Sequence, residues 1–257
     1  MATVDIRGRY GLRSSYVSRR FLIASVVVAS SAIAAAVAVP NRAAAGSADA
    51  VRIESVFPAA GELTVHSVAV RKTPNPHARV IKVMHDFRSD FRPQEIFALR
   101  KTLGSDGQTW YRISIPMRPN GTYGWIPART VSLSPTHNQI VVNLNSRTID
   151  LYAFGKRKWR GKVAIGAPGR ETPVGHYYVA ARFVPYHDAF LGVFAVETSA
   201  YSKLTEWPGG GVVGIHGTSM PQLLGQAVSH GCVRVSNATA AALRRLAPLG
   251  TPIWITE

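Results

Sequence analysis

A mainly β protein with short helices is what this sequence predicts: an N-terminal apolar segment, then a small β-barrel, then a β-sandwich-like domain. Three observations lead there. Gly and Pro, 22 and 16 of the 257 residues, are spread along the chain in turn-like clusters. Between the clusters stand short runs rich in β-branched and aromatic residues, some alternating with the period of a half-buried strand. At 46% hydrophobic and 17% charged, the chain can bury a core, which excludes bulk disorder.

Residues 1–45 carry six arginines (Arg7, Arg9, Arg13, Arg19, Arg20, Arg42) against one acid, Asp5. An uncharged stretch of 19 residues, Phe21–Val39, follows, then Pro40 and the small-residue tract Ala43-Ala44-Ala45-Gly46. A basic region, an apolar segment and an A-x-A site make a signal peptide. The apolar stretch is also long enough to span a bilayer as a single membrane anchor. Ser18-Arg19-Arg20-Phe21-Leu22 faintly resembles a twin-arginine signal but lacks the spacer after the arginines. Export is expected on either reading, so the localisation is extracytoplasmic, in the cell envelope.

Residues 46–62, small and polar around Pro58 and Gly61, read as a linker. Residues 63–133 read as short strands between turns: Val65–Val70, a turn at Thr73-Pro74-Asn75-Pro76, Ile96–Leu99, a turn at Gly104–Gly107, the alternating run Thr109–Ile115, a turn at Pro119-Asn120-Gly121, then Tyr123–Pro127. Trp110, Tyr111, Tyr123 and Trp125 are expected mostly as core of this barrel. In residues 138–257, Ile140–Leu144 and Thr148–Phe154 form a hairpin around Asn145-Ser146-Arg147, and Gly161–Ile165 is a third strand. Thr172-Pro173-Val174-Gly175 bends into a strand at His176–Ala181, Val212–His216 is another, and Ile253–Thr256 closes the chain. Ala238–Leu246 has high helix propensity, can be capped by Ser236 or Asn237, and is ended by Pro248 and Gly250. Tyr186–Gly211 resists assignment and is expected to border a substrate cleft.

The net charge is +16. Such a surface favours anionic surroundings, or is simply a basic soluble surface. No Lys/Arg run or nucleic-acid motif is visible, so no nucleic-acid partner is expected. His66, His77, His85, His137, His176 and His187 show no metal-binding spacing, and one cysteine cannot make a zinc cluster. Neither a metal nor an organic cofactor is expected.

That cysteine, Cys232, lies in Ser229-His230-Gly231-Cys232-Val233-Arg234-Val235-Ser236-Asn237. A lone thiol in an exported chain suggests intermolecular pairing or a reactive group. A thiol is nucleophilic as thiolate, so it needs a cation, a base or a helix N-terminus nearby. Arg234 and the helix that follows offer two of these. His216, at the end of a strand, and His230 are the candidate bases. Gly231 leaves room for a substrate carbonyl, and backbone amides there could hold an oxyanion.

The block from Ser229 to Asn237, with His216-Gly217 ahead of it, resembles the signature of L,D-transpeptidases with a YkuD-like catalytic domain. Thr172-Pro173-Val174-Gly175-His176-Tyr177 is similar to a second motif of that family. The resemblance implies that Cys232 attacks the carbonyl joining the L-centre of a diamino acid to D-Ala in a peptidoglycan tetrapeptide stem. D-Ala leaves, and an amine of a neighbouring stem resolves the thioester into a cross-link. It implies His216 as general base, the Gly217 carbonyl as an orienting acceptor, and His230, Gly231 and Ser229 as shaping the oxyanion site. Arg234 would bind a substrate carboxylate or brace the loop, Asn237 would be a structural cap, and Thr172, Pro173 and Gly175 structural turn residues. Carbapenem-type β-lactams would be covalent inhibitors. "W-Y-R-I … G-Y-G-W-I-P" and Arg71-Lys72-Thr73-Pro74 resemble bacterial Src-homology-3-like domains, which often bind cell wall. Three alternatives stay open: an L,D-carboxypeptidase using the same thioester, a non-catalytic wall-binding protein, and an ordinary cysteine peptidase.

Overall fold

The structure, a computed structural model, describes residues 56–186, 188–206 and 208–257. The expected signal or anchor segment, residues 1–45, lies outside the described residues. No helix among the described residues is long and apolar enough to cross a membrane.

Seven strands form an antiparallel N-terminal sheet: β1 (Ala59–Leu63), β2 (Ser67–Arg71), β3 (Val80–His85), β4 (Glu95–Leu103), β5 (Thr109–Ser114), β6 (Tyr123–Pro127) and β7 (Val131–Pro135), in the order β3-β2-β6-β5-β4-β1-β7. Val70, Ile96, Ile113 and Ile126, one from each of four strands, are fully buried in its core. Trp110 and Trp125 are buried as expected, whereas Tyr111 and Tyr123 are only partly covered. Trp110 Nε1 also donates to Asp106 in the turn at Gly104–Gly107.

The linker expectation for residues 46–62 needs correction at its end. β1 starts at Ala59 and is hydrogen-bonded on both sides, to β4 and β7. Gly61 is there because the Ser132 carbonyl passes 1.9 Å from where a side-chain carbon would stand, so β7 can pair with β1 only past a glycine.

The rest of the chain supplies β8 (Asn138–Asn143), β9 (Thr148–Ala153), β10 (Lys156–Gly166), β11 (Gly175–Phe183), β12 (Ala195–Tyr201), β13 (Val212–His216), β14 (Ala227–Ser229), β15 (Val233–Val235), the helix α1 (Asn237–Leu246) and β16 (Pro252–Thr256). Two strands change partners midway. β10 pairs with β9 through Lys162 and with β15 from Val163; β11 pairs with β16 through Tyr178 and with β12 from Val179. The sheet therefore closes on itself, β10-β15-β13-β12-β11-β16-β8-β9-β10, as two faces joined at shared corner strands. This is the sandwich-like architecture expected. α1 contributes Ala240 and Leu243 to its core, among Ile140, Leu151, Val179 and Ile215. β10 is longer than the expected Gly161–Ile165, because its charged first half still pairs with β9 and Asp150 accepts both Arg160 Nε and Nη2 at 2.7 Å.

The N-terminal sheet packs on this ring through side chains. Phe97 stacks on Tyr178 at 5.1 Å. Asn120 donates to the Tyr201 carbonyl at 2.8 Å and accepts its amide at 2.9 Å. Arg118 donates to the carbonyls of Ser202 and Gly210. At this seam Glu95 is 5% exposed, and burial, with Glu62 adding to it, pushes its carboxyl up from 4.5 to about 8. A carboxyl raised in the folded state contributes stability that is complete below its ordinary value and lost as pH rises through the raised one. Unfolding free energy is therefore expected to fall between pH 4.5 and 8. Glu95→Gln should remove that slope, gaining about 2–4 kcal/mol at pH 9. Urea denaturation of both forms at pH 5, 7 and 9 measures it.

Candidate active site

Strands β13 and β15 are parallel neighbours, with Ile215 opposite Val233 and His216 opposite Arg234. One step back in that register stand Gly214 and Cys232. The Gly214 amide accordingly points at the sulfur, 3.3 Å away. A carbon placed on Gly214 would lie 3.8 Å from Cys232 Sγ and 3.8 Å from His216 Cδ2. Thiol and imidazole thus converge on one spot, and both line a cavity of about 530 Å³.

His216 is 3% exposed, and its Nδ1 is 2.7 Å from the Gly217 carbonyl. A carbonyl only accepts, so Nδ1 carries the proton and Nε2 is left basic. Gly217 is held in turn. Its amide donates to the Phe194 carbonyl, and a side chain on it would strike Asn237 Oδ1 at 2.4 Å. Asn237 Oδ1 accepts from Val193 N. The cap expectation for Asn237 is corrected here: Ser236 is the N-cap, accepting from Thr239 N, and Asn237 clasps the Gly192-Val193 turn instead.

The Cys232 loop is tied by Ser229, whose hydroxyl donates to the Cys232 carbonyl at 2.6 Å and accepts the Gly231 amide at 3.1 Å. Ser229 is thus a loop brace, and the Gly231 amide is occupied within the turn. Gly231 has φ +114°, and a side chain there would meet Ser202 Cβ at 2.9 Å. His230, next to it, is partly exposed. Thr172 is buried and accepts Gly166 N, at the end of β10 that pairs with Ser229. Gly175 has φ +152° where β11 begins, and Pro173 lies in the irregular segment before it. Thr172 thus ties down the end of β10, and Pro173 and Gly175 lead into β11.

Burial pushes the Cys232 thiol up, against the Gly214 amide and the Arg234 charge, which pull it down. Burial pulls His216 down, with the Gly217 carbonyl and Asp188 opposing and Arg234 assisting. Both shifts favour the neutral pair, thiol and imidazole, at neutral pH. Such a pair can transfer its proton as the sulfur attacks a carbonyl. Arg234 is 6% exposed, its guanidinium lies 4.6 Å from the centre of the Phe190 ring, and its Nε is buried without a hydrogen-bond partner. The structure thus packs Arg234 under Phe190, beside the thiol. Phe190 also leans on His216, with ring centroids 5.9 Å apart.

Phe190, Gly214 and Glu197 were not singled out in the sequence. Phe190 and Glu197 fall within Tyr186–Gly211, which does supply cavity residues such as Leu191, Val196 and Glu197. The usable signal was Glu197, an acid set in the otherwise uncharged strand Ala195–Tyr201, as paired acids are. Among the described residues no group of three or more His, Cys, Asp or Glu could hold a metal ion.

Residues 137–255 match the family model of the L,D-transpeptidase catalytic domain, YkuD. The chain is 31% identical over 118 residues to the protein YkuD of Bacillus licheniformis, assigned as an L,D-transpeptidase, covering 46% of this chain and 65% of that one. It is 31% identical over 137 residues to YqjB of Bacillus subtilis (strain 168), assigned likewise, covering 48% of this chain and 75% of that protein. The crystal structure of L,D-transpeptidase 3 from Mycobacterium tuberculosis in complex with a faropenem-derived adduct aligns with 79% of this chain and 97% of its own, at 15% identity and a TM-score of 0.42. The chain thus spans just under two thirds of the first relative's length.

Proposed function

Since this chain belongs to the L,D-transpeptidase family, we propose that it is an extracytoplasmic peptidoglycan L,D-transpeptidase acting through a thioester on Cys232. The observation that carries this reading is the fixed tautomer of His216, basic at Nε2, on the strand beside the thiol.

The sulfur attacks the carbonyl that joins the L-centre of a diamino acid to the terminal D-Ala of a tetrapeptide stem. His216 takes the thiol proton and delivers it to the departing D-Ala nitrogen. An amine of a neighbouring stem then attacks the thioester, and His216 removes its proton as the amide cross-link forms. Water in place of the amine gives L,D-carboxypeptidase activity. Arg234, packed beside the thiol, steadies negative charge on the sulfur. Carbapenem-type β-lactams, as acylating agents, are the covalent inhibitors this site would accept. Residues 1–45 act as signal peptide or membrane anchor, and the Src-homology-3-like resemblance of residues 63–133 suits a unit that faces the wall polymer.

The test is incubation of the full chain with a disaccharide-tetrapeptide, followed by mass spectrometry. Release of D-Ala with a cross-linked dimer is expected. D-Ala release with only a tripeptide makes it a carboxypeptidase. An unchanged substrate leaves the wall-binding reading.

A further inference from the structure

The cavity holding Cys232 and His216 is not built by the C-terminal ring alone. The loop between β3 and β4, from the N-terminal sheet, forms one wall through Arg88, Ser89, Asp90 and Arg92. Two guanidinium groups of that loop close on a single carboxylate of the ring. Arg88 Nη2 is 2.6 Å from Glu197 Oε2, and Arg92 Nη2 is 3.0 Å from Glu197 Oε1. Both also reach Asp90, at 3.1 and 2.9 Å. Glu197 stands opposite Gly214 in the pairing of β12 with β13, and the Gly214 amide is the one that touches the sulfur. The loop's charges are thus anchored one strand away from the reacting thiol.

The cluster has two cations and two anions, and one of its donors has no acceptor. Arg92 Nη1 is buried without a hydrogen-bond partner, while the guanidinium lies 5.7 Å from the centre of the Phe183 ring. The Arg92 side chain as a whole is 39% exposed and lines the cavity that holds the thiol, so its guanidinium is open to a ligand there. Arg234, the cation beside the thiol, is 6% exposed under Phe190 and is closed to a ligand carboxylate. Under the L,D-transpeptidase reading, on which this inference rests, the leaving D-Ala carries a free carboxylate one residue beyond the attacked carbonyl. A planar guanidinium is the group best matched to a carboxylate.

We propose that Arg92 binds the terminal carboxylate of the donor stem, held in place by Glu197 and Asp90, so that the N-terminal sheet supplies a substrate-selecting wall of the active site. This assigns the sheet a role in recognition at the reacting centre, in addition to any contact with polymer outside it.

The experiment compares kcat/KM of the full chain on two stems, a tetrapeptide ending in D-Ala and the same tetrapeptide ending in D-alaninamide. It does so for the unaltered protein, Arg92→Ala, Arg92→Gln and Arg92→Lys. Labelling of Cys232 by iodoacetamide serves as a control for the integrity of the thiol site. The unaltered protein should prefer the carboxylate by about tenfold or more, the scale of a charge-assisted hydrogen bond. Arg92→Ala and Arg92→Gln should lose that preference by slowing on the carboxylate stem alone, with labelling unchanged, and Arg92→Lys should regain part of it. Gln keeps most of the side chain's bulk should alanine unfold the loop. A preference that survives in Arg92→Gln overturns the proposal. So does an equal fall on both stems, which would make Arg92 a tie between the two parts of the molecule. An unaltered protein that processes neither stem overturns the transpeptidase reading itself, and this one with it.

Discussion

Incubated with a carbapenem, the full chain is expected to gain the mass of one adduct, and Cys232→Ala none. Cys232 is the only cysteine in the sequence, so no other thiol can supply the signal. The same substitution should abolish D-Ala release, because it removes the thiol on which the proposed thioester forms. Ser229 is the one neighbouring hydroxyl in the loop, and it is committed to the Cys232 carbonyl and the Gly231 amide. Its thermal unfolding midpoint should change little. The sulfur is partly buried and receives a hydrogen bond from Gly214, and an alanine in its place would leave that amide unpaired, a cost of about 1 kcal/mol. Intact mass and a melting curve on the same samples therefore separate loss of chemistry from loss of fold.

His216→Ala should lower kcat/KM by about 100- to 10,000-fold, the usual range for removing a positioned proton carrier. The expected pH profile of the unaltered protein has a definite sign. Burial disfavours the imidazolium, so His216 releases its proton below the ordinary value near 6.5. Activity should rise with pH through that lowered value and be at plateau by neutrality. The Cys232 thiol is pushed above its ordinary 9.0, so the plateau should extend into the alkaline range. In His216→Ala the acid limb should disappear, and the residual rate should climb only as the thiol ionises. An acid limb that persists in the alanine variant would mean that another group, such as His230, carries the proton.

Much of this architecture was legible because strands announce themselves locally. Thr109–Ile115 alternates, Asn145-Ser146-Arg147 marks a hairpin, and β5 and the β8–β9 pair appear where those patterns place them. The segment around Cys232 and His216 was legible for a different reason: Gly217, Ser229 and Gly231 each have a contact or a backbone angle that restricts the residue type, and so form a recognisable pattern. What escaped is what local pattern cannot encode. β1 hides behind Gly61, whose purpose is visible only when β7 arrives. The first half of β10 looks like a charged loop until Asp150 is set beside Arg160. Phe190 sits in a short turn whose only regularity is the Asp188 cap. The pairing of Arg88 with Glu197 spans 109 positions, and neither end predicts the other.

The sharing of β10 and β11 between two faces has a consequence for how specificity can diverge. β13 lies between β12 and β15, and β15 between β13 and β10, so the placement of Cys232 against His216 is set by a backbone ladder with paired strands on both sides. The wall across the cavity belongs to a different sheet and is joined to the ring by side chains, at Glu197, Tyr178 and Tyr201. Breathing at that seam would alter the width of the cavity while leaving the placement of Cys232 against His216 intact. Exchange of the β3–β4 loop could therefore redirect the clientele of the enzyme without disturbing its chemistry, and a lineage could retune the two independently.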